Sequence, residues 1–272
     1  KEAFRWDVLA NWSKKVQRLT RLDEGAAQYN SLRLNDRTDA YYATVWEKSA
    51  DGDLIIDANT GLPTRNPYKQ NIGNKEPDWR FGLENTFTYK DFSLKVGIDG
   101  VWGGLMRSLT VEKMWWGGKH PNSTAYRDAE YANGIGTVYI PDAVNVTGGA
   151  VQRDLNGNVT SDTRTYATHS TPVSWQSWSQ NYPYRAQVTE EESKTFANVF
   201  DRSYLKLRTV SLSYDLTKLA NIKGVKQLNA SFNGYNLFIL KKAAIIDPDF
   251  GDDDNLQDPS TRYLGLGLTF KF

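Results

Sequence analysis

Few residues in this chain are of a type that does chemistry. Two histidines, His120 and His169, stand in polar sequence, and there is no cysteine. Disulfides, thiolate nucleophiles and thiolate metal sites are therefore excluded. Neither histidine belongs to an H-E-x-x-H pair, and the chain has no G-x-S-x-G elbow and no phosphate-cradling loop. Nothing in the spacing singles out the paired carboxylates of a glycosidase. The expectation is a protein with no catalytic residue, no cofactor and no metal, and not an enzyme.

Binding chemistry is better represented. Trp115, Trp116, Trp175, Trp178, Tyr182 and Tyr184 are flanked by Gly, Asn, Ser and Gln, a mixture that stacks on a ligand or packs against a partner protein. The alternative is that these rings pack their own segments together. Asp247, Asp249, Asp252, Asp253 and Asp254 supply the oxygen ligands a hard cation such as Ca²⁺ takes. They lack the spacing of a calcium loop and its closing Glu, so a solvated acidic loop is expected. Glu190-Glu191-Glu192 reads as an exposed charge run.

The elements that must position these residues read as β-strands. In Arg262–Phe272, Leu264, Leu266, Leu268, Phe270 and Phe272 share one face, and Gly265, Gly267, Thr269 and Lys271 share the other. Its length matches the roughly 9–11 residues a tilted strand needs to cross a bilayer. Trp79–Tyr89 and Phe92–Trp102 alternate likewise and form a hairpin over Lys90-Asp91. Trp79, Phe81, Leu83, Phe87 and Tyr89 line up with Phe92, Leu94, Val96, Ile98 and Trp102. Aromatics fall at the strand ends with aliphatics mostly between, the pattern of two interfacial girdles flanking an apolar band. These apolar residues are expected to face lipid, while Gly265, Gly267, Thr269 and Lys271 line a lumen or approach a plug. Further strands are expected over Ser203–Leu216 (less cleanly alternating), Leu228–Phe238 and Phe4–Trp12, with a weaker one between Gln17 and Leu34, for about seven in all.

Composition is compatible with this. A mean hydropathy of -0.60 and the absence of a long apolar run exclude a membrane helix, but barrel strands show lipid only every second side chain. Aromatics are 13% of the 272 residues, and a formal charge of +1 gives no bulk case for nucleic acid. Counted back from a periplasmic C-terminus, the connections 217–227, 90–91 and near 13–16 are short. Those on the other side, 35–78, 103–202 and 239–261, are long, as in outer-membrane barrels. Asp51-Gly52 and Asn156-Gly157 mark small β-ribbons within them. An odd strand count leaves unpaired edges in lipid, and Phe4–Val8 reads as the middle of an element, so further strands are expected from a longer polypeptide.

Asn71-Ile-Gly-Asn-Lys-Glu-Pro-Asp-Trp-Arg-Phe-Gly82, then Phe87-Thr-Tyr-Lys-Asp-Phe-Ser-Leu and Asp99-Gly-Val-Trp-Gly-Gly104, resemble a motif series of the SusC-like, TonB-dependent outer-membrane transporters. Asn35–Tyr42 upstream, and Asp201–Tyr214, Asn233-Gly-Tyr-Asn-Leu-Phe, Asp247-Pro-Asp and Leu264–Phe270 downstream, are similar to family blocks in the same order. The resemblance implies that residues 1–272 are the C-terminal portion of a barrel of roughly 22 strands around a plug. It also implies a SusD-like surface lipoprotein as partner, energy from TonB, an outer-membrane location, and import of an oligosaccharide or peptide. The sequence departs from the family in containing no plug domain and no TonB-contacting segment. The rival reading is a soluble or surface β-rich carbohydrate-binding module whose apolar faces bury against each other.

Overall fold

The computed structural model describes residues 4–29, 31–243, 245–250 and 260–272. Its frame is one six-stranded antiparallel sheet whose strands neighbour one another in chain order: β1 (Arg5–Ser13), β2 (Trp79–Tyr89), β3 (Phe92–Trp102), β4 (Tyr204–Asp215), β5 (Gln227–Lys241) and β6 (Tyr263–Lys271). The register aligns the alternation of all six. Trp6 faces Phe87, which faces Leu94, then Leu212, Phe232 and Leu266, an apolar row that crosses the whole sheet. One residue along, Asp7, Thr86, Lys95, Ser211, Asn233 and Gly265 make a polar row on the opposite face. Since the side-chain period is two, one register sets both faces.

The buried core is elsewhere. Leu266 is 89% exposed on the apolar face, whereas Trp115, Met106 and Val111 are fully buried in the long connections. Those connections (14–78, 103–203 and 242–262) all leave the same end of the sheet and carry the main apolar cluster, built around Trp46, Met106, Trp115, Trp175, Trp178 and Phe196. At the opposite end the chain turns tightly at Lys90-Asp91, with Lys90 at φ 53, and through residues 216–226, which hold a short helix, α4 (Thr217–Ala220).

Two expectations about this layout are corrected. Among the described residues no strand forms between Gln17 and Leu34; there that stretch contributes only the isolated bridges Arg18 to Arg37 and Tyr29 to Leu32. Its apolar residues, such as Leu19, Leu22 and Leu32, are too sparse and irregular to fill an alternate face. Because β1 pairs directly with β2, Ser13 opposite Arg80, residues 13–16 start a long connection and are not a short turn. The sorting of short and long connections by end still holds, with two short and three long.

The connections also hold helices that alternation cannot signal. α1 (Leu109–Trp116) starts where Ser108 Oγ accepts the Val111 amide at 3.1 Å, and α3 (Trp175–Arg185) where Ser174 caps Ser177 at 3.3 Å. A shorter α2 spans Arg127–Asn133. The two Gly-turn ribbons form as read: Lys48 bridges Leu54 around Gly52, and Val151–Arg153 pairs with Val159–Asp162 around Gly157, both glycines at positive φ.

Candidate functional site

Two chemical centres stand out, one on the polar sheet face and one in the connection layer. On the polar face, β4 carries a bulge between Leu207 and Thr209 with Arg208 the extra residue against β3, while against β5 the extra residue is on β5, where Asn236 and Leu237 lie opposite Arg208. Arg208 donates to Asp99 on β3, Nε to Oδ1 at 3.1 Å and Nη2 to Oδ2 at 2.7 Å, and on its other side to Asp249. Lys206, whose side chain is 1% exposed, donates to Asp249 at 2.9 Å, Asp247 at 3.1 Å and Ser260 at 3.1 Å. Tyr204 adds a hydroxyl to Asp249 at 2.6 Å, and Ser260 bonds to Asp247. The Asp247-Pro248-Asp249 segment is thereby fastened to the sheet. Burial works to raise the Asp249 carboxyl, but the donors Arg208, Tyr204 and Lys206 outweigh it and hold the group well below the ordinary carboxylate range.

This arrangement replaces the open carboxylate cluster considered from sequence. Asp247 and Asp249 are neutralised by cations of β4, which the sequence offered only as two charges in an imperfect alternation. Asp252, Asp253 and Asp254 lie outside the described residues.

In the connection layer, the six candidate aromatics divide. Trp115, Trp175, Trp178 and Tyr182 are between 0% and 7% exposed and pack together, so they are first of all core residues. Their rings meet Phe196 and Tyr139 in a continuous set of contacts, for example Trp115 to Phe196 at 4.6 Å and Tyr139 to Trp175 at 4.8 Å. Their burial follows because large apolar area in three long connections has nowhere else to go, and each also borders a pocket, Trp115 and Trp175 one and Trp178 and Tyr182 another. Trp116 and Tyr184 remain exposed at 55% and 42% with ring centroids 6.4 Å apart. Trp116 borders an open pocket of about 400 Å³ shared with Arg127, Tyr131 and Gln180.

Asn198 holds the layer from within. It is fully buried, accepts the Val188 amide at 2.7 Å, and donates to Ala186 O at 2.9 Å, to Glu112 Oε1 at 3.1 Å and to Pro183 O. A second buried group joins Glu47 to Arg153 and to Arg164 at 3.0 Å, with Asp162 also on Arg164 at 2.6 Å. Arg164 holds the Asp162 carboxyl down to about 2. This cluster floors a cleft of about 630 Å³ with Ile55, Tyr68 and Val146 on its walls. Of the Glu190–Glu192 run, Glu190 and Glu192 are partly buried and only Glu191 is exposed.

By register, Trp79, Phe81, Leu83, Phe87, Tyr89, Phe92, Leu94, Val96, Ile98, Trp102, Leu264, Leu266, Leu268 and Phe270 all share the apolar face, with Phe272 just past the last strand. Gly265, Gly267, Thr269 and Lys271 share the polar one, paired with Asn233, Ser231, Asn229 and Gln227. Stacked Trp79 and Trp102, 5.9 Å apart, sit at the loop end of the apolar face, and Phe92 with Tyr214, 4.3 Å apart, at the turn end.

No protein-family model and no curated protein matches this sequence. Among solved structures, the whole chain aligns with a chain of the RagAB peptide transporter at 16% identity and a TM-score of 0.57. It aligns likewise with chains of the RagAB peptide importer in the "open-open" state (15%, 0.55) and the "closed-closed" state (14%, 0.53). The chain spans 27–28% of the length of those chains. At such identity the likeness shows the fold: a predominantly antiparallel β-structure of the barrel type, of which these six strands are an unclosed part.

Proposed function

We propose that this chain is a C-terminal wall segment, with its external loops, of an outer-membrane transporter of the SusC-like, TonB-dependent class, and that it is not an enzyme. The observation that carries this reading is the apolar row from Trp6 to Leu266, continuous over six strands and covered by no described element of the chain. A soluble sandwich buries such a face against a second sheet, whereas a barrel turns it to lipid. Aromatic pairs at both ends of that face, and three long connections at one end against two short ones at the other, support the same orientation. The fold likeness to RagAB chains supports it independently of the sequence motifs.

On this reading the polar face, with Lys95, Thr269 and Lys271, lines the lumen, and the plug and remaining strands belong to the same longer polypeptide. The connection layer faces outward, where a SusD-like lipoprotein closes over an oligosaccharide or peptide, and TonB supplies the energy. The test is detergent extraction of native outer membranes, followed by intact mass and identification of co-purifying chains. A longer parent polypeptide with a lipoprotein partner is the expected result. A stable monomer of this length, soluble without detergent, would overturn the proposal.

A further inference from the structure

At the loop end of the apolar face a pocket of about 470 Å³ opens across β2, β3, β4 and β5. The register accounts for it. Phe81 pairs with Gly100, Gly100 with Leu205 and Leu205 with Leu240. One level further toward the loops, Trp79 pairs with Trp102, and Ser203 comes next, its hydroxyl accepting the Gly103 amide at 2.8 Å. Gly100 and Ser203 are small residues among large ones, and the hollow they leave has Phe81, Trp102, Leu205 and Leu240 on its walls.

The charged groups of this lining are Lys241 and Lys242. Lys241 donates to the Ile246 carbonyl. Lys242 stands 5.2 Å over the Trp102 ring at the mouth, donates to Asp201 at 2.6 Å, and has a side chain 53% exposed. An ammonium has three donors, so Lys242 can serve a second acceptor there. The same edge of the sheet is cationic beyond Lys242. β1 ends at Ser13, opposite Arg80 and so beside Trp79, and the chain runs on through Lys14, Lys15, Arg18 and Arg21, all exposed and with no carboxylate between them. Against these stand Glu76, Asp78 and Asp201, the first of them bound to Arg80 at 2.8 Å. An apolar hollow under a cationic rim is the complement of an acyl chain that carries an anionic headgroup.

We propose that this pocket is a specific lipid site: it seats one acyl chain of a phosphate-bearing glycolipid of the outer leaflet, and a phosphate oxygen accepts from Lys242. The Trp79–Trp102 stack marks the level where hydrocarbon gives way to headgroups, and Lys242 reaches across the mouth at that level. The inference rests on the membrane reading, because only a face set in lipid meets such a molecule. It adds to that reading a preferred lipid and the residues that choose it.

The test is native mass spectrometry of the full-length protein, stripped of lipid in a neutral detergent and titrated with lipid A bearing both phosphates or with the same lipid after their removal. The phosphorylated form is expected to bind about tenfold more tightly, the scale of one charge-assisted hydrogen bond. Lys242→Gln should erase most of that preference and leave the dephosphorylated lipid unaffected. Leu240→Trp fills the hollow without adding charge and should weaken both lipids. Lys218→Gln, at the turn end of the sheet, should change neither. Equal affinity of the two lipids for an unaltered protein that requires detergent would overturn this site and leave the membrane reading standing. A protein soluble and monomeric without detergent would overturn both. Unchanged affinity in folded Lys242→Gln and Leu240→Trp, or an equal loss in Lys218→Gln, would also overturn the assignment to this pocket.

Discussion

Arg208 and Asp249 are joined by two hydrogen bonds, Nη1 to Oδ2 at 2.7 Å and Nη2 to Oδ1 at 3.1 Å, across 41 positions of sequence. The pair exists because β4 and β5 both depart from regular pairing at that level. Arg208 is the bulged residue, and Asn236, opposite it at φ 52, accepts from Arg208 Nη1 at 3.3 Å and donates to Thr261 O at 3.1 Å. The two irregularities together fix both described ends of the last long connection, one through Asp249 and the other through Thr261.

Removing the Asp249 charge should loosen that attachment. Asp249→Asn leaves Lys206, almost fully buried, with Asp247 as its only carboxylate partner among the described residues, and weakens the two hydrogen bonds from Arg208. Hydrogen bonds to charged groups contribute about 1.5–3 kcal/mol; Arg208 and Asp249 are 33% and 23% exposed, which places the expected loss at the lower end of that range. Thermal unfolding followed by circular dichroism checks it. The pH dependence has a definite sign. Asp249 is depressed in the folded state, so its contribution is complete above the unfolded value of roughly 3.9 and fades as pH falls below it. The gap between the unaltered protein and Asp249→Asn should be constant from neutral pH to about 5 and shrink only under stronger acid.

The two sheet faces should respond oppositely to charge. Leu266→Arg places a guanidinium at an 89% exposed apolar-face position, and Val96→Arg does so on an inner strand. If that face meets hydrocarbon, each costs about 2–4 kcal/mol near the midplane. Thr269→Arg on the polar face should leave assembly intact. Yield of folded protein in the outer membrane reads all three, and insertion of Leu266→Arg at the normal level would count against lipid on that face.

The strands were legible because each has one face with no partner among the described residues, which keeps the period-2 pattern clean. Where a strand does a second job the pattern blurs: Leu205 and Leu207 fall out of phase with Val210, Leu212 and Tyr214 because Arg208 is bulged between them. The carboxylate partners of Lys206 and Arg208 could not be read at all, since nothing local ties positions 206 and 208 to 247 and 249. Helix α3 was readable in principle. Trp175, Trp178 and Tyr182 recur at spacings of three and four behind a capping Ser174, a helical stripe; the polar residues between them made the segment look like loop.

Two glycines of the sheet should differ in tolerance. A Cβ on Gly100 would stand 2.4 Å from the Tyr204 carbonyl oxygen and 2.9 Å from the Phe81 ring, whereas one on Gly265 would meet nothing within 4 Å. The first obstacle is backbone and cannot rotate away. Gly100→Ala should therefore strain the β3–β4 pairing by about 1–3 kcal/mol, and Gly265→Ala should be close to neutral. Parallel urea unfolding of the two variants checks this. A destabilised Gly265→Ala in the full-length protein would instead reveal a close neighbour, such as a plug, against that glycine.

His120 should make the connection layer sensitive to mild acid. The ring is 6% exposed, lies on Trp115 with centroids 4.2 Å apart, and accepts the Asn122 amide on Nδ1 at 3.2 Å. A proton on Nδ1 would set two donors against each other. Burial lowers the imidazole to about 4 from an ordinary 6.5. Because the unfolded chain takes up the proton first, stability rises with pH across the window from about 4 to 6.5 and is complete above it. That is the reverse of a histidine raised by an ion pair. His120→Asn retains an acceptor for the Asn122 amide and cannot titrate, so it should cost some packing on Trp115 at every pH but remove the dependence in that window. The Asp249 latch fades only under stronger acid, so the two effects separate along the pH axis. Melting temperatures at a series of pH values settle it: if the unaltered protein and His120→Asn lose stability in parallel between pH 6.5 and 4, the histidine is not the group responsible.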